Sequence, residues 1–183
     1  MRIVAGSARG RRLGPVPPGI RPVSDRAREG LFSSLGPAIE GARVLDLYAG
    51  TGALGLEALS RGASAAAFVD VSRSSATTIA ANIERTGLGP ATVRTSDTAA
   101  FVGRIDKQIA PVDLVFLDPP YEAEGSEIQP VLANIASGWL AETGWTVVLT
   151  RGTRSSMPVI PVDWAIARRL RYGDSLVFLY REV

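Results

Sequence analysis

The residues best placed to do chemistry are Asp118, Pro119, Pro120 and Tyr121, directly after the largely apolar run 112–117. Such a run reads as a buried strand. Two prolines cannot continue it, so the chain must turn where the carboxylate and the ring emerge. A carboxylate can take a proton from an amine, and a flat phenol can stack on a planar substrate, which together suit an exocyclic amine on a base. That amine is a poor nucleophile because its lone pair is delocalised into the ring. Catalysis therefore needs fixed acceptors for its protons and in-line placement against a methyl group. Asp118 and the Pro119 carbonyl are the candidate acceptors and Tyr121 the stacking surface, with the base unpaired or flipped to reach them.

About 70 residues upstream, the apolar stretch Val44–Leu47 contains Asp46 and leads through Tyr48 and Ala49 into Gly50-Thr51-Gly52-Ala53-Leu54-Gly55. This matches G-x-G-x-x-G between a strand and a helix, where Ala49, Gly50 and Gly52 would let the backbone approach a ligand and Gly55 would allow close helix–strand packing. Asp70 ends the next expected strand, where it could hold ribose hydroxyls. Asp97 follows the third, placed to accept from an adenine amine. Asp46, Asp70 and Asp97 would thus ring one crevice at the carboxyl ends of adjacent strands. Three carboxylates suit a sulfonium carrying an ammonium group, as in S-adenosylmethionine, and would repel the diphosphate of NAD. Each aspartate taken singly could instead cap a helix or close a turn, a reading that weakens for three at successive strand ends.

The chain has 183 residues with 46% hydrophobic and 21% charged positions, enough for one soluble domain burying about 70% of its unfolded surface. It contains no cysteine and no histidine, which excludes disulfides, thiolate nucleophiles and ordinary zinc sites. No metal is expected. The net charge of +2 hides an asymmetry: residues 1–28 hold seven arginines against the single acid Asp25, while residues 29–150 hold 7 basic and 14 acidic groups. A basic arm on an acidic core points to a polyanion held by the arm and a cationic ligand held by the core. The N-terminus lacks a signal-peptide pattern and no segment approaches membrane-span length, so a cytoplasmic protein with no membrane partner is expected.

Positioning these groups requires strands at 43–47, 66–71, 92–96, 113–118 and 145–150, with helices near 53–61, 73–86, 98–108 and 126–138. This alternation predicts an α/β domain with a mostly parallel sheet covered on both faces. Segments 164–170 and 176–180 flank a turn and read as an antiparallel hairpin. Residues 2–5 and 11–16 read as a small basic hairpin, followed by a proline-rich linker and a helix capped by Ser24 or Asp25 and running to Leu35. Residues 1–20 are assigned to the arm and linker and 21–183 to the globular unit.

The chain resembles the bacterial small-subunit rRNA guanine-N2 methyltransferases of the RsmD type over nearly its whole length. The similarity rests on Arg2-Ile3, Arg9-Gly10-Arg11, Arg21-Pro22 with Asp25-Arg26 and Arg28-Glu29, on Asp46–Ala58, on Asp118–Tyr121 and on Tyr172-Gly173. The resemblance implies a class I methyltransferase fold, Rossmann-like, with a seven-stranded sheet, a last antiparallel hairpin and an N-terminal β-hairpin. It implies S-adenosylmethionine as cofactor and N2 of one guanine of 16S rRNA as target, within the small ribosomal subunit or its assembly intermediate. Arg9, Arg11, Arg21, Arg26 and Arg28 are the candidate RNA contacts, beside Tyr121, and a monomer is expected. Val23-Ser24, Ser33 and Ser72 depart from the family pattern.

Other readings compete, among them protein glutamine methylation, whose enzymes carry asparagine rather than Asp118 before Pro-Pro. DNA adenine-N6 methylation uses the same chemistry, but 183 residues leave little room for a DNA-recognition domain. An NAD-dependent oxidoreductase fits the glycine loop without supplying an obvious hydride-transfer residue. A non-catalytic RNA-binding module fits the arm and leaves the carboxylate-lined crevice without a purpose.

Overall fold

The computed structural model describes residues 1–16 and 23–183. Its sheet has seven strands: β1 (Arg43–Leu47), β2 (Ala65–Asp70), β3 (Ala91–Thr95), β4 (Leu114–Leu117), β5 (Thr146–Gly152), β6 (Trp164–Tyr172) and β7 (Ser175–Glu182). They lie in the order β3-β2-β1-β4-β5-β7-β6. The first five are parallel, and β7 pairs antiparallel with both β5 and β6. The helices are α1 (Asp25–Leu35), α2 (Ala53–Ser60), α3 (Arg73–Thr86), α4 (Thr98–Val102) and α5 (Gly125–Ala136). This is the α/β architecture expected from the alternation, and the class I methyltransferase fold.

Two apolar clusters cover the two faces. Phe68, Leu114, Phe116 and Val148 meet Leu31 and Phe32 of α1 and Leu56 of α2 on one side. Leu45, Leu47, Val115 and Leu117 meet Ile128, Val131 and Leu132 of α5 on the other. Alternate residues of each strand therefore serve opposite faces, which is why β1, β4 and β5 are buried almost throughout. Chain order reverses between β1 and β4, and a crevice must open there at the carboxyl ends of the strands.

Two elements differ from expectation. Helix α4 stops at Val102 rather than 108, because Gly103 ends it and residues through Ile109 turn around Asp106. The N-terminal hairpin shrinks to one antiparallel bridge, Arg2 to Arg12, with flanking bonds between Ile3 and Arg11 and between Leu13 and Met1. Nor is the arm a separate layer. Ile3, Ala8 and Leu13 are buried in the same cluster as Leu31 and Leu56, and Ser60 both donates to the Ala5 carbonyl and accepts from the Ala8 amide. Among the described residues no helix is long and apolar enough to cross a membrane.

Gly55 shows why the glycine loop can sit so close to the sheet. A Cβ there would fall 2.3 Å from the Phe68 ring and 3.1 Å from the Asp46 carboxylate. Gly55→Ala should therefore lose about 1–3 kcal/mol by overpacking, read as a lower denaturation midpoint at unchanged m-value. An unchanged midpoint would show that Phe68 yields freely.

Candidate active site

A cleft of about 1080 Å³ opens at the predicted crevice, and Asp46, Asp70, Asp97, Asp118, Pro119 and Tyr121 all line it. Ala49 and Gly50 line it as well, while Gly52 shapes the turn beneath. The register explains the convergence. Leu47 pairs with Leu117, so Tyr48 and Asp118 leave neighbouring strands side by side, about 5 Å apart across the ladder.

Asp46 lies between Phe68 and Phe116 in the ladder and is almost fully buried. Burial pushes its carboxyl well above the usual range, and the charges of Asp118 and Asp70 add to this. A hydrogen bond from the Gly55 amide (2.9 Å) works against them. Asp70 accepts from the Gly50 amide and from the Ser72 amide, each at 2.8 Å, so it clamps the glycine loop as well as facing the cleft. Asp97 is exposed at the cleft and caps α4 by accepting from the Ala100 amide at 2.9 Å. Holding the local backbone and facing the cleft thus coexist in all three residues. The donor set is carboxylate throughout, which fits the ammonium and sulfonium of S-adenosylmethionine and the hydroxyls of its ribose.

Asp118 is half-buried at the cleft floor. Burial pushes its carboxyl up to about 6, partly offset by a hydrogen bond with the Thr150 side chain. Tyr121 is held from several sides. Its hydroxyl lies 2.5 Å from the Ser175 hydroxyl, Ser155 donates to its carbonyl at 2.7 Å, and Gly152 leaves its ring room. Arg151, fully buried, donates to the Ala123 and Ser156 carbonyls and so braces the chain just after Tyr121.

Several supporting residues left no readable sign in the sequence. Tyr48 adopts φ 58°, a left-handed conformation unusual for an aromatic residue, and its hydroxyl bonds to the Thr98 side chain. Asn82 is fully buried on α3. Its Nδ2 donates to the Thr51 carbonyl at 2.9 Å while its Oδ1 accepts from the Gly14 amide at 2.7 Å. The Gly14 amide can only donate, so it fixes which end of the carboxamide faces the glycine loop. Asn82→Ala should weaken S-adenosylhomocysteine binding about tenfold, measured by calorimetry. An unaltered affinity would mean the loop holds itself.

The arginines divide. Arg9 and Arg26 are exposed; Arg11 is exposed but donates to the Thr86 carbonyl; Arg21 lies outside the described residues. Arg28 corrects the expectation of an RNA contact, because it is fully buried, donating to the Arg2 carbonyl and Asp25 at 2.6 Å each. It sits three and four positions before Leu31 and Phe32, on the face of α1 turned to the core, where Glu57 stands 3.8 Å away.

The family described as conserved hypothetical protein 95 matches residues 1–181. The chain is 36% identical to ribosomal RNA small subunit methyltransferase D of Escherichia coli K12, over 99% of this chain and 89% of that one. A solved structure of a hypothetical protein from Thermus thermophilus superposes with TM-score 0.81 at 31% identity, covering 100% and 99% of the two chains. SMU.776, solved in complex with S-adenosylhomocysteine, shares the fold at TM-score 0.70 and 17% identity, over 87% of this chain and 49% of that one. With the match spanning both the arm and the Asp118–Tyr121 loop, this chain belongs to the conserved hypothetical protein 95 family, the RsmD family.

Proposed function

We propose that this protein transfers a methyl group from S-adenosylmethionine to the exocyclic N2 of a guanine in 16S rRNA. It would act as a cytoplasmic monomer on the small ribosomal subunit or an assembly intermediate. The observation that carries the reading is Asp118-Pro119 at the cleft floor, one strand away from the end of β1 where the glycine loop begins. Methyl donor and amine would meet across that single strand spacing. The relative of the same family named as an rRNA small subunit methyltransferase supports the substrate class. The SAH complex of a protein with this fold supports the cofactor class.

When bound, the cofactor supplies an electrophilic methyl group. The chain's own residues do the rest. The glycine loop and Asp70 hold the ligand's position, Tyr121 stacks on the base, and the Pro119 carbonyl orients one amine hydrogen while Asp118 accepts the other's proton. With its carboxyl near 6, Asp118 is largely ionised at pH 7 yet still basic enough to take a proton. Since the ionised form is the acceptor, kcat/KM should fall about tenfold per unit below pH 6 and level off above pH 7. A flat profile between pH 5 and 7 would remove Asp118 from proton transfer.

The direct experiment incubates the protein and radiolabelled S-adenosylmethionine with unmodified small subunits, free 16S rRNA or duplex DNA. Label recovered as N2-methylguanosine in subunit rRNA is the expected result. Label confined to DNA adenine would overturn the proposed substrate.

A further inference from the structure

We propose that the exposed edge strand β6 is a second RNA-binding surface, gripping the phosphate backbone beside the target nucleotide; this rests on the rRNA reading above. Strand β6 ends the sheet, and its residues 165–169 and Arg171 are exposed. The strand carries Arg168, Arg169 and Arg171 and no acidic residue. Among the described residues, no carboxylate lies within ion-pair distance of any of the three. Arg169 rests 5.5 Å from the Phe178 ring and the Arg171 Nε donates to the Gly173 carbonyl. Neither contact neutralises charge.

The strand's direction ties this charge to the site. Since β7 runs antiparallel to both β5 and β6, the Tyr172 end of β6 lies at the same end of the sheet as Asp118 and the glycine loop. Tyr172, Asp174 and Ser175 line the cleft, and Ser175 holds Tyr121. The arginines therefore start one residue from the cleft wall and recede from it over about 13 Å, at the usual rise of a strand. Arg154 stands at the same rim. Successive residues alternate faces, so Arg168 projects opposite Arg169 and Arg171 and the edge is basic on both sides.

Met1, Ser24 and Ala27 line the same cleft next to the exposed Arg26, on the side where Gly30 of α1 meets the Tyr172 hydroxyl. Arg26, Arg154 and the β6 arginines thus put exposed positive charge near the mouth, although residues 29–150 are net acidic. Charged side chains also guard edge strands against pairing with other chains. That task is met by either sign, whereas three unpaired arginines of one sign match a polyanion. A base flipped into the cleft leaves its flanking backbone at the mouth, within reach of this strand.

The test compares wild type with the triple variant R168Q/R169Q/R171Q and its lysine counterpart, using unmodified small subunits. Binding is followed from 50 to 200 mM salt and methyl transfer is measured in the same samples. The glutamine variant should lower the slope of log K against log salt by about 2–3 and raise KM for subunits at least tenfold, with S-adenosylhomocysteine affinity unchanged. The lysine variant should restore most of the slope. An unaltered slope and KM, with the wild type active, would overturn the second surface alone. Absence of transfer by the wild type would overturn the rRNA reading and this surface with it. Weaker S-adenosylhomocysteine binding by the glutamine variant would mark general damage and likewise overturn the surface.

Discussion

Asp118→Asn should reduce kcat by about 10²–10⁴-fold while leaving S-adenosylhomocysteine affinity within about threefold of wild type. Asparagine keeps the shape of the side chain and a partner for Thr150, but its carboxamide cannot take up the amine proton. Cofactor affinity is preserved because the glycine loop is held by Asp70, Asp46 and Asn82. The same substitution should leave the protein no less stable, and at pH 7 more stable. The folded state holds the Asp118 proton to about pH 6, whereas an unfolded chain releases it near 3.8. A carboxyl with a raised folded value favours folding at low pH and opposes it as pH rises between those limits, by at most about 3 kcal/mol. Steady-state kinetics, calorimetry and thermal melts at pH 5 and 7 check all three outcomes. Retention of wild-type kcat would remove Asp118 from the reaction; a large loss of cofactor affinity would recast it as a binding residue.

Replacing Glu57 should have the largest effect on stability. Its carboxylate is fully buried and accepts from the Val4 amide (2.8 Å), the Ala5 amide (2.9 Å) and the Arg61 Nε (2.7 Å), with Arg28 at 3.8 Å. Glu57→Ala would strand two amides and leave the buried Arg28 with only Asp25 as counter-charge. A loss of about 3–5 kcal/mol follows, or a Tm lower by roughly 10 °C. Amides of residues 3–13 should lose hydrogen-exchange protection first, since Glu57 fastens the arm to α2. Glu57→Gln, which keeps one acceptor oxygen, should cost about half as much. A Tm within about 2 °C of wild type for the alanine variant would show that Ile3, Ala8 and Leu13 hold the arm by burial alone.

Arg28 and Glu57 show where the linear pattern misleads. Both are charged, both stand in or beside motifs read as functional, and both are fully buried. A local charge count places Arg28 with Arg9 and Arg26 on an RNA-facing surface. Its helical phase with Leu31, Phe32 and Leu35 carried the opposite information, legible only once α1 was known to pack that face on the sheet. Asn82 is harder still, because its two partners, Thr51 and Gly14, lie 31 and 68 positions away.

What the sequence by itself determined are the features governed by short-range periodicity and backbone chemistry. Apolar runs became β1, β4 and β5 within a residue or two. Prolines after Leu117 stopped β4 where Asp118 emerges, and glycines at 50, 52 and 55 made the loop. These outcomes follow from local rules, and they sufficed to bring Asp46, Asp70, Asp97 and Asp118 to strand ends. The tertiary structure decided which of those carboxylates is shielded between Phe68 and Phe116, that the arm is welded into the core through Glu57, and that Tyr121 is held by Ser175 from the last hairpin. It also decided that three arginines on β6 lead away from the cleft. Such pairings depend on strand order and on which faces meet. Both are set by the packing of residues far apart in the chain, which no local period encodes.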